Sequence, residues 1–396
     1  MKWPARRLIK QSENVLSPIK SFGMYEVAAE LEGKGAELIH LEVGRPSFDT
    51  PLHIKEAAKQ ALDKGIVHYG DLQGSLELRE SLTQKLKNYN NIDVQPDEVL
   101  ITTGLTQASF ATFMASIDEG DEVIVLEPYY PQHNSKIELI GGKVVPVALR
   151  REDDYRINSQ DIEEKITNKT SMLVFVNPTN PTGRVFTTDE VTAIADIAIK
   201  HDLLVMTDEI YEYILYDGRQ HISLASLPEM RDRTISVYGF TKAYAMDGWR
   251  LGYAAAKKEF IKGVMSVVLN ETTHPNVFAQ EGAIAATKGS QDCVKEMVAE
   301  DMRRRDLVYK RLNEMPNVTC RKPEGSIYAF PDFGAYNTPS EKMAEDILRA
   351  THVATESGSF YGATGEGHIR ICFGSEVYET LEEALNRIEE YLKKRY

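Results

Sequence analysis

The chain contains few of the residues from which disulfide frameworks and metal sites are built. Only three of its 396 residues are cysteines, and no two of them are close in sequence. This excludes a disulfide framework and the paired-thiol metal motifs, and it favours a reducing compartment. The nine histidines include no HExxH pair, so we expect neither a structural nor a catalytic metal.

Long apolar runs and an excess of positive charge are also missing. No stretch of about 18 apolar residues is present to span a bilayer, and the positively charged start of the chain lacks the apolar segment of a secretory signal. The 46 lysines and arginines are outnumbered by 60 aspartates and glutamates, which gives a net charge of −14. A chain with this charge is not expected to bind nucleic acid or an anionic membrane. We therefore expect a cytoplasmic protein whose partners are small molecules.

Short apolar runs rich in β-branched residues dominate the centre of the chain, and helical patterns separate them. Their near-continuous apolar character predicts strands that are covered on both faces, as in a mostly parallel sheet. A helical pattern over 187–202 offers Thr and Asp as candidate caps. The alternation predicts an α/β fold. The predicted strands cover 121–128, 143–149, 170–178, 202–209, 234–240 and 250–256.

After about residue 290 the pattern changes to longer, charge-rich helices. Residues 290–315 predict a long helix, and the chain ends in an amphipathic helix with Lys and Arg in its last turns, where they suit the helix dipole. We therefore expect a smaller α+β domain made from residues 291–396 together with an N-terminal arm, 1–45. Residues 46–290 would then form the large domain.

Two isolated cations stand in a stretch that is otherwise aromatic, small or glycine, YGFTKAYAMDGWRLGY. If Lys242 is buried, the loss of hydration lowers its pKa, and a neutral amine is a nucleophile that forms Schiff bases. A pyridoxal phosphate (PLP) enzyme requires such a lysine, together with a phosphate site, a carboxylate for the pyridine nitrogen, donors for the ring hydroxyl and a flat group against the ring. Arg250 suits the phosphate, because a guanidinium binds two of its oxygens at once.

Candidates for the carboxylate and for the ring-hydroxyl donors follow two of the predicted strands. Asp208 ends the run VMTD at the sheet edge where open α/β sheets bind ligands, although an aspartate that merely closes a turn explains these residues equally well. Tyr211, three residues later, is within reach of the ring hydroxyl. The segment NPTNPTG predicts a rigid turn that presents Asn180 to the same edge.

Three further segments supply the remaining groups. In LITTGLT, an apolar run ends in a helix start whose N–H groups, on Gly104, Leu105 and Thr106, suit a phosphate; alone, this pattern is commonly a simple helix cap. Tyr130 in EPYYPQ offers a stacking face, or is a surface tyrosine. Arg370 in GHIRICFG suits bidentate binding of an α-carboxylate, and the alternative is an arginine that extends from an edge strand.

Taken in order, these segments resemble the fold-type I, PLP-dependent aminotransferases of class I/II, the aspartate aminotransferase-like family. The resemblance runs from LEVGRPSFDTP to GHIRICFG and rests chiefly on NPTNPTG, DEIY and FTKAYAMDGWRLGY. It implies a large domain with a mostly parallel seven-stranded sheet flanked by helices, beside a smaller α+β domain. It also implies transfer of an amino group from an L-amino acid to a 2-oxo acid, pyruvate or 2-oxoglutarate, by ping-pong double displacement.

The resemblance assigns five residues to the ring of the cofactor. It makes Lys242 the Schiff-base lysine and proton shuttle, and it pairs Asp208 with the pyridine nitrogen. Tyr211 and Asn180 are implied to bond the ring oxygen, and Tyr130 to stack on the ring. Lys242, Asp208 and Tyr211 are the implied catalytic residues.

The resemblance also assigns the phosphate and the substrate. The residues implied to hold the phosphate are Gly104, Leu105, Thr106 and Arg250. Arg370 is implied to bind the substrate α-carboxylate, with help from Gly44 and Asn180. Tyr69 resembles the tyrosine that reaches the phosphate of the neighbouring subunit, which implies a homodimer with shared active sites.

Four positions depart from the usual family pattern. Gly239 stands where a phosphate-binding Ser or Thr is usual, and Asp247 where a neutral residue is usual. Leu105 replaces a small residue, and Arg45 occupies a position that is often acidic or neutral. These changes leave open which residue contacts the distal end of the substrate, for which Arg45 and His274 are the candidates.

Other functions remain to be separated from transamination. A lyase, cyclase or hydroxylase that acts on an amino acid in a specialised biosynthetic pathway would use the same cofactor-binding groups. A non-catalytic regulator of this fold carries an N-terminal DNA-binding domain, but only about 40 residues precede the first family match, without a basic helix-turn-helix. A dinucleotide-binding oxidoreductase requires G-x-G-x-x-G after a strand, which is missing.

Overall fold

The structure, a computed structural model, describes residues 23–395 of the chain. Residues 1–22, the first half of the predicted N-terminal arm, lie outside the described residues. The α-helices are α1 (Met24–Gly33), α2 (Leu52–Asp63), α3 (Leu76–Lys85), α4 (Gly104–Ser116), α5 (Pro131–Leu139), α6 (Ser159–Glu163), α7 (Thr188–Lys200), α8 (Lys258–Glu271), α9 (Val277–Lys288), α10 (Asp292–Glu314), α11 (Ser340–Thr351) and α12 (Tyr378–Arg395). The strands are β1 (Ile39–His40), β2 (Val99–Thr102), β3 (Glu122–Glu127), β4 (Lys143–Ala148), β5 (Thr170–Val176), β6 (Leu204–Asp208), β7 (Thr234–Gly239), β8 (Gly252–Ala255), β9 (Tyr328–Ala329), β10 (Val353–Ala354), β11 (Glu356–Ser357) and β12 (Ile369–Cys372).

A seven-stranded sheet forms the centre of the molecule, with the strand order β2-β8-β7-β6-β5-β3-β4. All of its strands run in one direction except β8, which is antiparallel to both of its neighbours. The predicted α/β fold with a mostly parallel seven-stranded sheet is thereby confirmed. Each of the six predicted strands overlaps one of the strands β3 to β8.

Both faces of this sheet are buried, because successive side chains of a strand point to opposite faces. In β3, Val123 and Val125 join one apolar cluster with residues of α4 and α8. Ile124 and Leu126 join a second cluster, on the other face, with residues of α7. This double coverage explains the near-continuous apolar runs in the sequence.

The reversed direction of β8 keeps one connection entirely at one edge of the sheet. β7 ends at Gly239 and β8 begins at Gly252, and these two glycines are register partners. The segment 240–251 therefore begins and ends at the edge where the parallel strands have their carboxyl ends. Lys242 and Arg250 both lie on this segment.

The C-terminal part packs into a separate apolar core together with the first described residues. Met24 of α1 and Leu41 lie in this core with residues of α10, α11 and α12. It also contains a three-stranded antiparallel sheet, β11-β12-β9, and a parallel pair of β1 with β10. The division of the chain at residues 45 and 290 stays a prediction.

None of the helices within residues 23–395 combines the length and the apolar character that crossing a membrane requires.

Candidate active site

A cavity of about 500 Å³ opens at the carboxyl ends of the parallel strands. Most of the residues singled out in the sequence line this one cavity, although they are spread over more than 300 positions of the chain. These are Gly44, Leu105, Thr106, Tyr130, Asn180, Asp208, Tyr211, Lys242, Arg250 and Arg370. The topology explains the convergence, because β3, β5, β6 and β7 all end at this edge.

Lys242 is a buried amine in the wall of the cavity. Its Nζ donates a hydrogen bond to the carbonyl oxygen of Gly44. Burial lowers the pKa of Lys242 to about 8, and the nearby guanidinium groups of Arg370 and Arg250 act in the same direction. About a tenth of this amine is therefore neutral at pH 7, far more than for an ordinary lysine, and the neutral form is the one that nucleophilic attack requires.

Asp208, the last residue of β6, is held by two hydrogen bonds. Its Oδ2 lies 2.9 Å from Nε2 of His133, and its Oδ1 accepts the backbone N–H of Ile210 at 3.1 Å. His133 is buried, and burial lowers its pKa although the adjacent carboxylate opposes this shift. A neutral imidazole here donates Nε2–H to the carboxylate. Asp208 is thus fixed in orientation and offers a negative charge to the cavity.

Sequence reasoning missed His133, although a signal for it exists. The residue lies on α5, three positions after Tyr130, and its backbone N–H donates to the Tyr130 carbonyl at 3.1 Å. A spacing of three places both side chains on one face of a helix start. The two rings meet edge to face, with centroids 5.2 Å apart.

A second missed residue, Tyr328, contacts three of the predicted site residues. Its hydroxyl oxygen lies 2.7 Å from that of Tyr211, and its ring lies under the Arg370 guanidinium at 4.5 Å. A Cβ atom on Gly44 would lie 2.0 Å from the Tyr328 hydroxyl oxygen. Residue 44 must therefore be a glycine for Tyr328 to occupy this position.

Arg370 lies in β12 with a guanidinium that is buried and only partly satisfied. Its Nη1 donates to Oδ1 of Asn180 at 3.2 Å, and its Nη2 donates to the carbonyl oxygen of Glu42. Its Nε has no hydrogen-bond partner among the described residues. A buried guanidinium with a free donor is an anion-binding group, because leaving such a donor unpaired is costly.

The start of α4 and Arg250 form a second anion-binding surface. Gly104 adopts a left-handed φ of +78°, and a Cβ there would lie 2.8 Å from Nη2 of Arg250. α4 has no side-chain cap at its N-terminus, and the next two residues, Leu105 and Thr106, line the cavity. Free N–H groups at a helix start beside a guanidinium suit a phosphate. Arg250 is held in place by a 2.8 Å bond from its Nη1 to the carbonyl of Asp247.

The structure shows the neighbours of two residues that depart from the family pattern, Gly239 and Arg45. A Cβ on Gly239 would lie 2.6 Å from Cδ1 of Ile210, so a larger residue there would displace that side chain. Arg45, a candidate for the distal end of the substrate, is about half exposed and lies 3.7 Å from Glu376.

Tyr69 and His274 lie together, apart from the residues that line the cavity. Tyr69 is 89% exposed, and its ring meets the His274 ring edge to face at 5.5 Å between centroids. Both ring nitrogens of His274 already contact the backbone. The candidate role of His274 at the distal end of the substrate stays a prediction.

A compact group of titratable residues lies beside the site. Potential ligand atoms of Glu209, Glu212 and His221 come within 4.8 Å of one another. Lys85 forms an ion pair with Glu212 at 2.5 Å, and His221 bonds Glu209 at 2.7 Å. These contacts compensate the carboxylate charges within the protein. The expectation that the chain holds no metal stays a prediction.

Comparison with known proteins gives one consistent family. A profile of the family described as aminotransferase class I and II matches residues 36–388. The chain is 39% identical over 385 residues to an aspartate aminotransferase of Pyrococcus abyssi, covering 96% of this chain and 97% of the relative. It is 39% identical over 384 residues to aromatic-amino-acid aminotransferase 2 of Thermococcus litoralis, with coverages of 96% and 97%.

A solved structure agrees with these sequence matches. The aromatic aminotransferase of Pyrococcus horikoshii superposes with a TM-score of 0.89 at 41% identity, covering 93% of this chain and 99% of that one. The profile match spans the cavity residues from Gly44 to Arg370. The sequence motifs, the sheet and these matches agree, and the chain belongs to the aminotransferase class I and II family.

Proposed function

We propose that this protein is a PLP-dependent transaminase that moves an amino group from an L-amino acid to a 2-oxo acid, pyruvate or 2-oxoglutarate, in a ping-pong reaction. One observation carries the proposal. A buried amine of lowered pKa, Lys242, shares a cavity with a hydrogen-bonded carboxylate and with two cationic anion-binding groups. Aminotransferase chemistry requires this set of groups.

The residues present fit PLP at each of its polar ends. The N-terminus of α4 and Arg250 suit the phosphate, and Asp208 suits a protonated pyridine nitrogen. Asn180 and Tyr211 are donors for the ring oxygen, and Tyr130 offers a stacking face. When bound there, PLP would supply an aldehyde that captures amino groups covalently and a ring that accepts electron density from the substrate Cα.

In this proposal Asp208 and His133 act as one unit. His133 fixes the direction of the carboxylate, and the carboxylate provides a negative charge that keeps a ring nitrogen protonated. Both side chains are almost completely buried and lie 2.9 Å apart, which restricts their movement during turnover. Such preorganised electrostatics reduces the reorganisation that the reaction requires.

Arg370, Asn180 and Gly44 orient the amino acid. The unpaired Nε of Arg370 and its outer nitrogens can form a two-pronged contact with the α-carboxylate. Asn180 holds the guanidinium, and the missing Cβ at Gly44 allows Tyr328 to pack its ring under the same guanidinium. This places the substrate Cα near Lys242, which lines the same cavity.

Lys242 is the proposed base. Its Nζ must be neutral to take the proton from the substrate Cα, and as an ammonium it would then donate that proton to the C4′ carbon of PLP. The lowered pKa of about 8 suits both roles, because amine and ammonium are then both accessible near neutral pH.

We also propose a homodimer in which Tyr69 completes the neighbouring subunit's site. The segment around Tyr69 exposes several large apolar side chains, which is typical of a surface that another subunit covers. They are Leu52, Leu62, Val67, Leu72 and Leu76, which are 45–67% exposed. A cytoplasmic location is part of the proposal and rests on the low cysteine content.

The competing lyase, cyclase or hydroxylase function is not favoured, since the relatives described above are named aminotransferases. Their names cover aspartate and aromatic amino acids as substrates of those proteins. Either class is a candidate amino donor for this chain.

The proposed function can be tested with purified protein and added PLP. Twenty amino acids are paired with pyruvate and with 2-oxoglutarate, and the new amino acid is quantified. We expect PLP-dependent transfer with at least one pair. Binding of PLP without any transfer, accompanied by release of ammonia or another altered product, would favour the lyase class instead.

A further inference from the structure

We propose that His274 is a positioning residue that holds the Tyr69 loop in the shape required to enter the neighbouring subunit's active site. This rests on the proposed homodimer and on the proposed contact of Tyr69 with the neighbour's phosphate. It assigns His274 a role in cofactor binding across the interface, instead of contact with the distal end of the substrate. The Tyr69 loop comprises residues 69–75.

His274 is fixed by contacts with the backbone on both ring nitrogens. The backbone N–H of Gly70 donates to Nε2 at 3.3 Å, and Nδ1 lies 2.7 Å from the carbonyl oxygen of Pro275. A backbone N–H can only donate and a carbonyl can only accept. The proton must therefore reside on Nδ1, which makes His274 a neutral ring that presents an acceptor to the residue next to Tyr69.

The other end of the loop is tied to the same carbonyl through Gln280. Its Oε1 accepts the backbone N–H of Ser75 at 2.7 Å, and its Nε2 donates to the Pro275 carbonyl at 3.1 Å. Gln280 is only 2% exposed, so these bonds are protected from solvent. Both ends of the Tyr69 loop are thus linked to the carbonyl oxygen of Pro275. The start of the loop is linked through the His274 imidazole, and its end through the Gln280 amide.

The contacts of His274 compensate for the weak packing of Tyr69 within its own subunit. Its side chain is 89% exposed, so packing within its own subunit restrains it very little. Its ring meets the His274 ring edge to face, with 5.5 Å between the centroids. A side chain that must arrive in another subunit's site at hydrogen-bonding distance needs a fixed backbone, because a misplacement of about 1 Å costs much of the interaction. His274 supplies both the backbone anchor and the ring contact.

The test is a double-mutant cycle on PLP affinity of the full-length dimer. The variants are Tyr69→Phe, His274→Ala and the double variant, with His274→Gln as the conservative change and His68→Ala as the matched control. His68 is an exposed histidine directly before Tyr69. The apo-proteins are titrated with PLP by its visible absorption, amino-acid KM is measured on the same samples, and the dimer is verified by sedimentation.

We expect Tyr69→Phe and His274→Ala each to weaken PLP binding about tenfold, the loss of one hydrogen bond to a charged group. The double variant should be no weaker than either single one, because the two residues act through one contact. A glutamine can still accept the Gly70 N–H, so His274→Gln should stay within threefold of wild type. His68→Ala should leave PLP affinity unchanged.

Several results would overturn the proposal. These are an unchanged PLP affinity in His274→Ala, additive losses in the double variant, a shift in amino-acid KM alone, equal damage from His68→Ala, or dissociation of the His274→Ala dimer. If Tyr69→Phe itself leaves PLP affinity unchanged, the proposed contact across the interface is wrong and the role of His274 falls with it. Transfer activity of the wild type is measured separately, so the transaminase proposal is judged on its own.

Discussion

Nε2 of His133 lies 2.9 Å from Oδ2 of Asp208, with both side chains almost completely buried. The pair joins a helix that follows β3 to the end of β6, 75 positions later in the chain. The imidazole keeps the carboxylate directed at the cavity, and the carboxylate keeps the imidazole in one tautomer.

Replacing His133 by phenylalanine should reduce kcat/KM for amino transfer about tenfold or more. The change removes one hydrogen bond to a buried charge, for which a cost of about 1.5–3 kcal/mol is typical. Steady-state kinetics at saturating PLP provides the measurement. His133→Gln retains an N–H donor and should lose less than the phenylalanine variant. Equal losses in both variants would show that the hydrogen bond is not the source of the effect.

Lys242→Ala should abolish both the visible absorption of the internal Schiff base and amino transfer, because the variant has no amine to hold the aldehyde or move the proton. Absorption spectroscopy and a transfer assay are run on the same sample. Lys295→Ala, at an exposed lysine with 75% side-chain accessibility, is the matched control and should behave as wild type. Turnover by Lys242→Ala would contradict the assignment.

The same lysine should destabilise the PLP-free protein in a pH-dependent way. Its folded-state pKa of about 8 lies below the ordinary 10.5, so between these values the unfolded chain binds more protons and stability rises with pH. Below pH 8 the full cost of about 3 kcal/mol opposes folding. Lys242→Met should therefore raise the free energy of unfolding by about 2 kcal/mol at pH 7, after the lost bond to Gly44 is counted.

This gain should shrink between pH 8 and pH 10.5. Urea denaturation of the PLP-free proteins at pH 7 and at pH 10 measures both values. If Lys242→Met is less stable than wild type at pH 7, the charged amine of Lys242 does not destabilise the folded protein, and this prediction is wrong.

Arg370→Ala should raise the KM for amino acids at least 100-fold while leaving PLP affinity within threefold of wild type. The guanidinium lines the cavity, and its Nε lacks a hydrogen-bond partner among the described residues. A bidentate contact with a carboxylate is among the strongest polar interactions. Arg370→Lys keeps the positive charge but cannot form the bidentate contact, so its KM for amino acids should lie between those of wild type and Arg370→Ala. Equal loss of cofactor and substrate affinity would indicate a structural role.

Gly44→Ala should displace Tyr328, since the new Cβ would lie 2.0 Å from its hydroxyl oxygen. Overpacking of this kind costs about 1–3 kcal/mol, and the bond between Tyr211 and Tyr328 should be lost with it. Thermal unfolding and amino-acid KM are measured together. Gly33→Ala is the control, because nothing lies within 4 Å of a Cβ at that position. Similar losses of stability in both variants would show that the effect is not due to Tyr328.

The sheet and most of the candidate site could be predicted because their signals are local. Apolar runs mark buried strands, and Lys242, Asp208 and Asn180 each lie in a short motif at a strand end. His133 was missed although its spacing of three from Tyr130 is a local signal, whereas Tyr328 lies in no such motif. Tyr328 reaches Tyr211 across 117 positions of the chain, and only the packing of the C-terminal core against the sheet edge brings the two hydroxyls together.

The contacts of His274 were equally out of reach of the sequence. Its partner Gly70 lies 204 positions earlier, and no property of a lone histidine in a loop indicates which of its nitrogens accepts. The resemblance to a family gave Tyr69 a role but left open what holds it in place. Only the way in which the loops around Gly70 and His274 pack together shows what holds Tyr69 in place.

The reversed direction of β8 keeps two cations of the cavity on one short segment of the chain. Parallel neighbours require a long crossover between them, which would separate the residues at the two ends of a connection. Here the register partners Gly239 and Gly252 bound a twelve-residue connection, 240–251, which begins and ends at the edge of the sheet where the cavity opens. Lys242 and Arg250 therefore lie on one continuous segment, so residues 239–252 are the unit that a transfer of both cations to another sheet would have to include.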